Sequence, residues 1–92
     1  MRPDEKEKIR EWYDRLKGIR SALVDLRDDI DIIKDEHQEW QEERDEETDG
    51  KFADTLAGKN AEDDYNTLDN WYDYANDALD NLDNIDIKDL SQ

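Results

Sequence analysis

The chain has 92 residues, of which 46% are charged and 34% hydrophobic, and its formal net charge is −16 at pH 7. This length allows one domain at most, and such acidity argues against direct binding to nucleic acid, because the phosphates would be repelled. The absence of cysteine excludes disulfides and thiolate chemistry, and no apolar run approaches the ~20 residues that span a bilayer.

A heptad pattern of apolar residues predicts one long helix over about residues 4–47. Pro3 suits a first helical position, and the acids that follow suit the positive end of the helix dipole. The heptad residues alternate at steps of three and four: Ile9, Trp12, Leu16, Ile19, Leu23, Leu26, Ile30, Ile33, His37 and Trp40. Such a seam must pack against another helix.

The tripeptide Thr-Asp-Gly at 48–50 predicts the end of this helix, and residues 48–59 are expected to form a turn or a short helical piece. A second helix is expected over about 60–86, followed by a frayed tail at 87–92. Asp and Asn crowd its outer faces and are mediocre in helix interiors, so this helix should depend on its partner. Its apolar residues again follow steps of four and three: Ala61, Tyr65, Leu68, Tyr72, Ala75, Leu79 and Leu82.

Opposite charges predict that the two helices pair within one chain as an antiparallel hairpin. The heptad positions are lettered a to g, with Ile9 and Tyr65 at a, and in such a hairpin e positions face e positions. Positions a and d of the first helix are then both expected to pack on the second, with the turn near 51–53. Pairing between two chains is the alternative. Three pairs share the one register: Arg20 with Asp83, Arg27 with Asn76 and Lys34 with Asp69.

Two apolar sets remain outside this seam, and both suggest binding to a partner. One set is expected to project beyond the shorter second helix, unless Ile87 and Leu90 fold back: Ile9, Trp12, Tyr13 and Leu16. The other set lies at the g positions of the second helix and could instead only widen the intramolecular seam: Trp71, Ala78 and Ile85. Because an isolated two-helix hairpin is marginal, we predict an all-α, coiled-coil-like hairpin that assembles into a four-helix bundle through these residues.

Few residues offer chemistry. His37 lies on the seam and is interpreted as a seam residue rather than a proton switch or metal ligand, since no second His or Cys accompanies it. Residues 45–56 match several positions of a calcium loop, but the twelfth position holds Leu56 instead of a bidentate Glu. No nucleophile with its base and no glycine-rich phosphate loop is visible. We therefore predict no enzyme activity, no cofactor and no metal site.

The residues at 56–65, Leu-Ala-Gly-Lys-Asn-Ala-Glu-Asp-Asp-Tyr, resemble the turn of the small helical-hairpin proteins of type VII (ESX, WXG-like) secretion. In that family a Trp-Xxx-Gly turn is followed by a small residue and then by an aromatic residue. Leu56 stands in the place of the Trp, and the other places are held by Gly58, Ala61 and Tyr65. The chain looks closest to the accessory hairpins that pair with LXG toxins, which implies a binding partner or targeting chaperone within helical bundles.

The expected function is thus a non-enzymatic partner or chaperone of a type VII secretion effector. Its partner would be another helical protein, such as an LXG-type toxin domain or a sister hairpin, or a second copy in a homodimer, without contact to nucleic acid or membrane. The polar N-terminus predicts a soluble cytoplasmic chain without a cleavable signal, which could be secreted with its partner.

The acidity supports two alternatives. Carboxylates along a rod can imitate DNA phosphates, so the chain could be a phage-type inhibitor that occupies the basic cleft of a nuclease or other DNA-binding enzyme. The acids expected to act there are Asp73, Asp77 and Asp80. The other alternative is a solvated acidic surface, either for solubility or as an adaptation to a salty environment.

Overall fold

The computed structural model describes residues 1–86 and 88, which form two long helices joined by a tight turn. Helix α1 covers Pro3–Glu47, a short 3₁₀ helix covers Phe52–Asp54, and helix α2 covers Leu56–Asp83. The 45 residues of α1 extend about 68 Å at 1.5 Å per residue, close to the 69 Å length of the molecule. The predicted all-α hairpin is confirmed. The predicted frayed tail at 87–92 lies outside the described residues, apart from Lys88.

Helix α1 ends where the turn residues predict. Its last residue is Glu47, and the backbone then enters the left-handed region at Asp49 (φ 53°) and Gly50 (φ 80°). The Gly50 N–H donates to the carbonyl oxygen of Asp45 at 2.8 Å, which satisfies one of the carbonyls left unpaired at the helix end. Gly50 is suited to this place because it adopts positive φ without steric cost.

Helix α2 begins at Leu56, four residues before the predicted start at Asn60. Thr55 caps it: its Oγ1 accepts from the Gly58 N–H at 2.9 Å and donates to the Phe52 carbonyl at 2.6 Å. A Thr cap of this kind stabilises a helix start by about 1 kcal/mol. The predicted boundary was therefore wrong, because Gly58 lies inside the first turn of α2 instead of preceding the helix.

Helix α2 also ends earlier than predicted, at Asp83 rather than near Asp86. The N–H groups of Asn84 and Ile85 bond to carbonyls three residues back, at 3.2 and 3.0 Å, which tightens the last turn. Asn84 stands at the C-cap. The chain therefore leaves the helical path before Ile85, which changes the direction in which that side chain points.

The register predicted from the charges is confirmed. Arg20 Nε donates to Asp83 Oδ1 at 2.8 Å and Lys34 Nζ donates to Asp69 Oδ1 at 2.6 Å. The third predicted pair joins Nη1 of Arg27 to Oδ1 of Asn76 at 3.2 Å. All three bonds join α1 to the antiparallel α2 of the same chain, so the pairing is within one chain. The hydrogen bond from Arg20 holds the pKa of Asp83 below its ordinary value, and the bond to Asp69 raises the pKa of Lys34.

The hydrophobic core is small and lies mostly on α2. Among the described residues, the buried apolar side chains are Phe52, Ala61, Ala75 and Leu79. Helix α1 contributes only partly buried side chains to it. Burial of so few residues provides little stabilisation against the entropy of ordering the chain, which is the usual problem of a two-helix hairpin.

Candidate docking face on the hairpin

The d positions of α1 form an exposed apolar line, which we call the α1 stripe. The sequence predicted that the side chains at both the a and the d positions would pack on α2. This prediction was wrong for the d positions, whose side chains remain largely exposed. Spaced seven residues apart, the members of the α1 stripe have exposed fractions between 43% and 59%: Trp12, Ile19, Leu26, Ile33 and Trp40. The a residues beside them, from Ile9 to His37, are half-buried. Single exposed apolar residues are ordinary, whereas a continuous line of them marks a contact surface.

The side chains at the e positions take the place that the d positions were expected to fill. The side chain of Lys34 is only 13% exposed, and its Nζ lies 5.6 Å from the ring centre of Tyr65 and 5.2 Å from that of Tyr72. Long basic side chains can cover apolar surface with their methylenes while their charged ends stay paired. Helix α1 therefore turns its a and e positions toward α2, and its d positions face sideways.

A shallow apolar groove of about 660 Å³ lies beside the α1 stripe, between the two helices. Two of the three residues predicted at the g positions of α2, Trp71 and Ala78, line it together with Leu26 and Ile33. Trp71 is 53% exposed and Tyr74, on the same wall, is 66% exposed. The α1 stripe and this wall of α2 form one surface, which we call the docking face.

The third g residue, Ile85, lies elsewhere. It lines a second, smaller groove with Tyr13, Leu16 and Leu82, on the side where Arg20 meets Asp83. Tyr13 and Leu16 are half-buried there, so the predicted overhang of α1 is shorter than the length of α2 suggests. Ile87 and Leu90, whose folding back was considered, lie outside the described residues. Six of the seven predicted partner-binding residues are thus divided between the docking face and this smaller groove, and the half-buried Ile9 lines neither groove.

The residues of the predicted turn motif lie together where the hairpin closes. Gly58 and Ala61 are buried, Tyr65 is half-buried under Lys34, and Leu56 is 76% exposed. A Cβ on Gly58 would lie 1.8 Å from the carbonyl oxygen of Phe52, so only glycine fits there. Leu56, which stands in the family's Trp position, makes no comparable contact with the core.

Two aromatic contacts close this end of the molecule. The Trp40 ring meets the buried Phe52 ring edge to face, with ring centres 5.6 Å apart, and lies 5.6 Å from the ring of His37. Nε2 of His37 lies 2.7 Å from the carbonyl oxygen of Ala61, which accepts a hydrogen bond from it. His37 is therefore a hydrogen-bonded seam residue, as its heptad position indicates. The burial of Phe52 was missed, and its only signal was an aromatic residue within a polar turn.

The acids predicted for the alternative function are exposed on α2. Asp73, Asp77 and Asp80 all face solvent, and none is in an ion pair within the part of the chain that the structure describes. In that same part, neither the segment 45–56 nor any other place gathers three or more His, Cys, Asp or Glu side chains suitable for a metal ion. The described helices also include none long and apolar enough to cross a membrane.

Comparison with protein-family models, with curated proteins and with solved structures gave no match for this chain. The candidate site therefore rests on its own geometry. The feature with the clearest physical meaning is the docking face, because it leaves large apolar side chains in water at helical spacing.

Proposed function

We propose that this chain is a non-enzymatic binding partner that acts by packing its docking face against another helical protein. The observation that carries the proposal is the exposure of the α1 stripe, five large apolar residues that repeat every seven residues over about 42 Å of helix. A partner helix with its own apolar line would bury these residues as knobs into holes. The resulting assembly would be a four-helix bundle if the partner is also a hairpin.

The secretion context is part of this proposal. A role as partner or targeting chaperone of a type VII effector is supported by the turn, where Gly58 and Ala61 are buried and Tyr65 follows on α2 as in the family that the sequence resembles. The exposed Leu56 departs from the Trp of that family. A helical LXG-type domain or a sister hairpin would bind the docking face through apolar contacts.

The test compares two neighbouring isoleucines that have similar exposure. Ile33, 49% exposed, belongs to the α1 stripe, and Ile32, 55% exposed, does not. Tagged wild type, I33A and I32A would be used to capture proteins from source-cell lysate, with washes at 0.1 and 1 M NaCl. We expect wild type to capture a helical protein that stays bound in the high-salt wash. I32A should still capture that protein, and I33A should not. Trp12→Ala should likewise weaken capture while circular dichroism shows an intact hairpin.

Equal capture by I33A and I32A would refute the docking face as the contact surface. Loss of helicity in Trp12→Ala would show instead that this residue stabilises the hairpin itself. Captured proteins released entirely by 1 M NaCl would also contradict the proposal, because apolar contacts do not weaken with salt as exposed charge pairs do.

A second candidate function, that of a DNA mimic, is favoured by the exposure of Asp73, Asp77 and Asp80. A basic enzyme cleft would then bind the acidic side of α2, and salt would release it. Neutralising these three acids to Asn should abolish such binding and leave the docking face unaffected. A captured nuclease that this triple variant no longer binds would establish the alternative.

A further inference from the structure

The α1 stripe is symmetric about its middle residue. From Trp12 to Trp40 its residues read Trp, Ile, Leu, Ile, Trp, with Leu26 at the centre. All five are partly exposed along the same side of one helix. If two copies of α1 packed antiparallel with Leu26 meeting Leu26, each Trp would face the other Trp and each Ile would face the other Ile.

The charges beside the stripe have the complementary pattern. The g positions border the d positions on the exposed side of α1, and their sign changes from one end to the other. In chain order they are Lys8, Arg15, Ala22, Asp29, Glu36 and Glu43, all exposed. In the antiparallel register centred on Leu26, Lys8 would meet Glu43 and Arg15 would meet Glu36, each pair occurring twice. Within the described part of the chain none of these four takes part in an ion pair.

We propose that a second copy of this chain occupies the docking face, with the two α1 helices antiparallel and a two-fold axis at Leu26. This homodimer rests on the proposed function, and it specifies which partner binds the docking face. A two-fold interface must be self-complementary. The α1 stripe meets this requirement because its side chains repeat in reverse order about Leu26, while the g charges beside it have opposite signs on the two sides of Leu26. A parallel pair would instead bring the acidic part of one α1 beside the acidic part of the other, which is unfavourable.

Net charge along the chain favours the same orientation. Residues 1–24 contain seven Lys or Arg and five Asp or Glu, whereas residues 25–50 contain three and thirteen. The antiparallel arrangement brings the basic part of each α1 beside the acidic part of the other. In a molecule of charge −16, this pairing reduces the repulsion that any association must overcome.

The exposed area of the single hairpin is large enough to form such an interface. Its accessible surface is 7309 Å², whereas a compact monomer of 11.0 kDa would expose about 5,600 Å². The excess of about 1,700 Å² exceeds the about 800 Å² per partner that a standard interface buries. Small residues lie near the proposed axis, Ala22 on α1 and Ala78 in the groove beside Leu26, so the helices can approach closely.

Disulfide crosslinking tests the orientation directly, since the natural chain has no cysteine. Two cysteines crosslink only when their Cα atoms lie within about 7 Å. Mild oxidation of Leu26→Cys should give a covalent dimer. Ile19→Cys alone should crosslink poorly, whereas a mixture of Ile19→Cys and Ile33→Cys should give the mixed dimer. Efficient crosslinking of Ile19→Cys to itself would overturn the antiparallel register.

Charge reversal tests the register without changing the apolar stripe. In sedimentation equilibrium at 0.1 M NaCl, Arg15→Glu and Glu36→Arg should each raise the dimer dissociation constant about tenfold, because two ion pairs become repulsive. The double variant R15E/E36R should recover wild-type affinity. The matched double reversal R10E/E42R, on the opposite side of α1, should have no effect. A double variant as weak as the single ones would refute the proposed pairs.

The outcome also separates this inference from the proposed function. A wild-type chain that remains monomeric at 100 μM overturns the second copy as the occupant. If I33A still loses a captured helical protein in that case, the docking face and the proposed function stand. If I33A loses neither self-association nor capture, both proposals are wrong.

Discussion

Gly58 is the position where one methyl group should cost the hairpin the most. A Cβ there would lie 1.8 Å from the Phe52 carbonyl oxygen and 2.6 Å from its carbonyl carbon. Since ordinary C···O contacts are about 3.3 Å, the 3₁₀ turn would have to move by about 1.5 Å. That movement would break the Thr55 cap and uncover Phe52, which is 5% exposed.

The expected net cost of Gly58→Ala is about 2 kcal/mol. Loss of the cap contributes about 1 kcal/mol and partial exposure of Phe52 about 2 kcal/mol, against about 1 kcal/mol gained in helix propensity. The matched control is Gly18→Ala, because a Cβ on Gly18 meets no atom within 4 Å. This variant should gain about 0.8 kcal/mol, since Ala replaces Gly in an exposed helix interior.

The assay is urea unfolding followed by circular dichroism, at one fixed protein concentration because association adds to apparent stability. Gly58→Ala should unfold at lower urea than wild type, and Gly18→Ala at higher urea. For a chain of this size, the same differences shift Tm by about 4–8 °C per kcal/mol. If Gly58→Ala is as stable as wild type while Gly18→Ala is stabilised as expected, the close approach of Gly58 to Phe52 does not limit the stability of the turn.

Three further outcomes follow from the same structure. Leu79→Ala, which empties a site only 4% exposed, should lower the free energy of unfolding by about 2–4 kcal/mol in urea, whereas Leu56→Ala at a site 76% exposed should change it by less than about 0.5 kcal/mol. Folding lowers the pKa of Asp83 below its ordinary value of 3.8, because its carboxylate accepts the Arg20 hydrogen bond. The difference in unfolding free energy between wild type and Asp83→Asn should therefore be full above pH 3.8 and shrink as the pH falls through the folded pKa. An unchanged difference down to pH 2 would contradict the Arg20 bond. Because the net charge is −16, Tm should rise between 0.02 and 1 M NaCl, and a fall would show that self-repulsion does not limit stability.

The register of the hairpin could be predicted from the sequence because three separate signals agreed. Opposite e positions, the heptad lines and the turn residues all required the same alignment, and all three side-chain pairs form. The end of α1 could also be predicted, because Thr-Asp-Gly at 48–50 is a typical helix end, and Gly50 indeed adopts positive φ shortly after the last helical residue. Local chemistry and long-range pairing supported each other at these places.

The start of α2 and the rotation of α1 were not predicted. Residues 48–59, Gly58 among them, were expected to form a turn or a short helical piece, whereas Thr55 caps α2 and Gly58 lies in the first turn of that helix, close to the Phe52 backbone. The rotation depends on Lys34, which looks polar in the sequence and yet covers two tyrosine rings. Periodicity identifies apolar lines but not which line a single neighbouring helix will cover.

The heptad of α1 therefore serves two contacts, the packing on α2 and the proposed association with a second copy. A different set of charged residues determines the register of each contact. The a and e positions bind α2, and the ion pairs of Arg20 and Lys34 fix that register. The d positions remain outside with the g charges beside them, among them Arg15 and Glu36. Since the e and g residues lie on opposite sides of the a and d lines, reversal of g charges should alter association without opening the hairpin. Reversal of Lys34 should instead loosen the hairpin, because Tyr65 and Tyr72 would then lose both their cover and their paired cation.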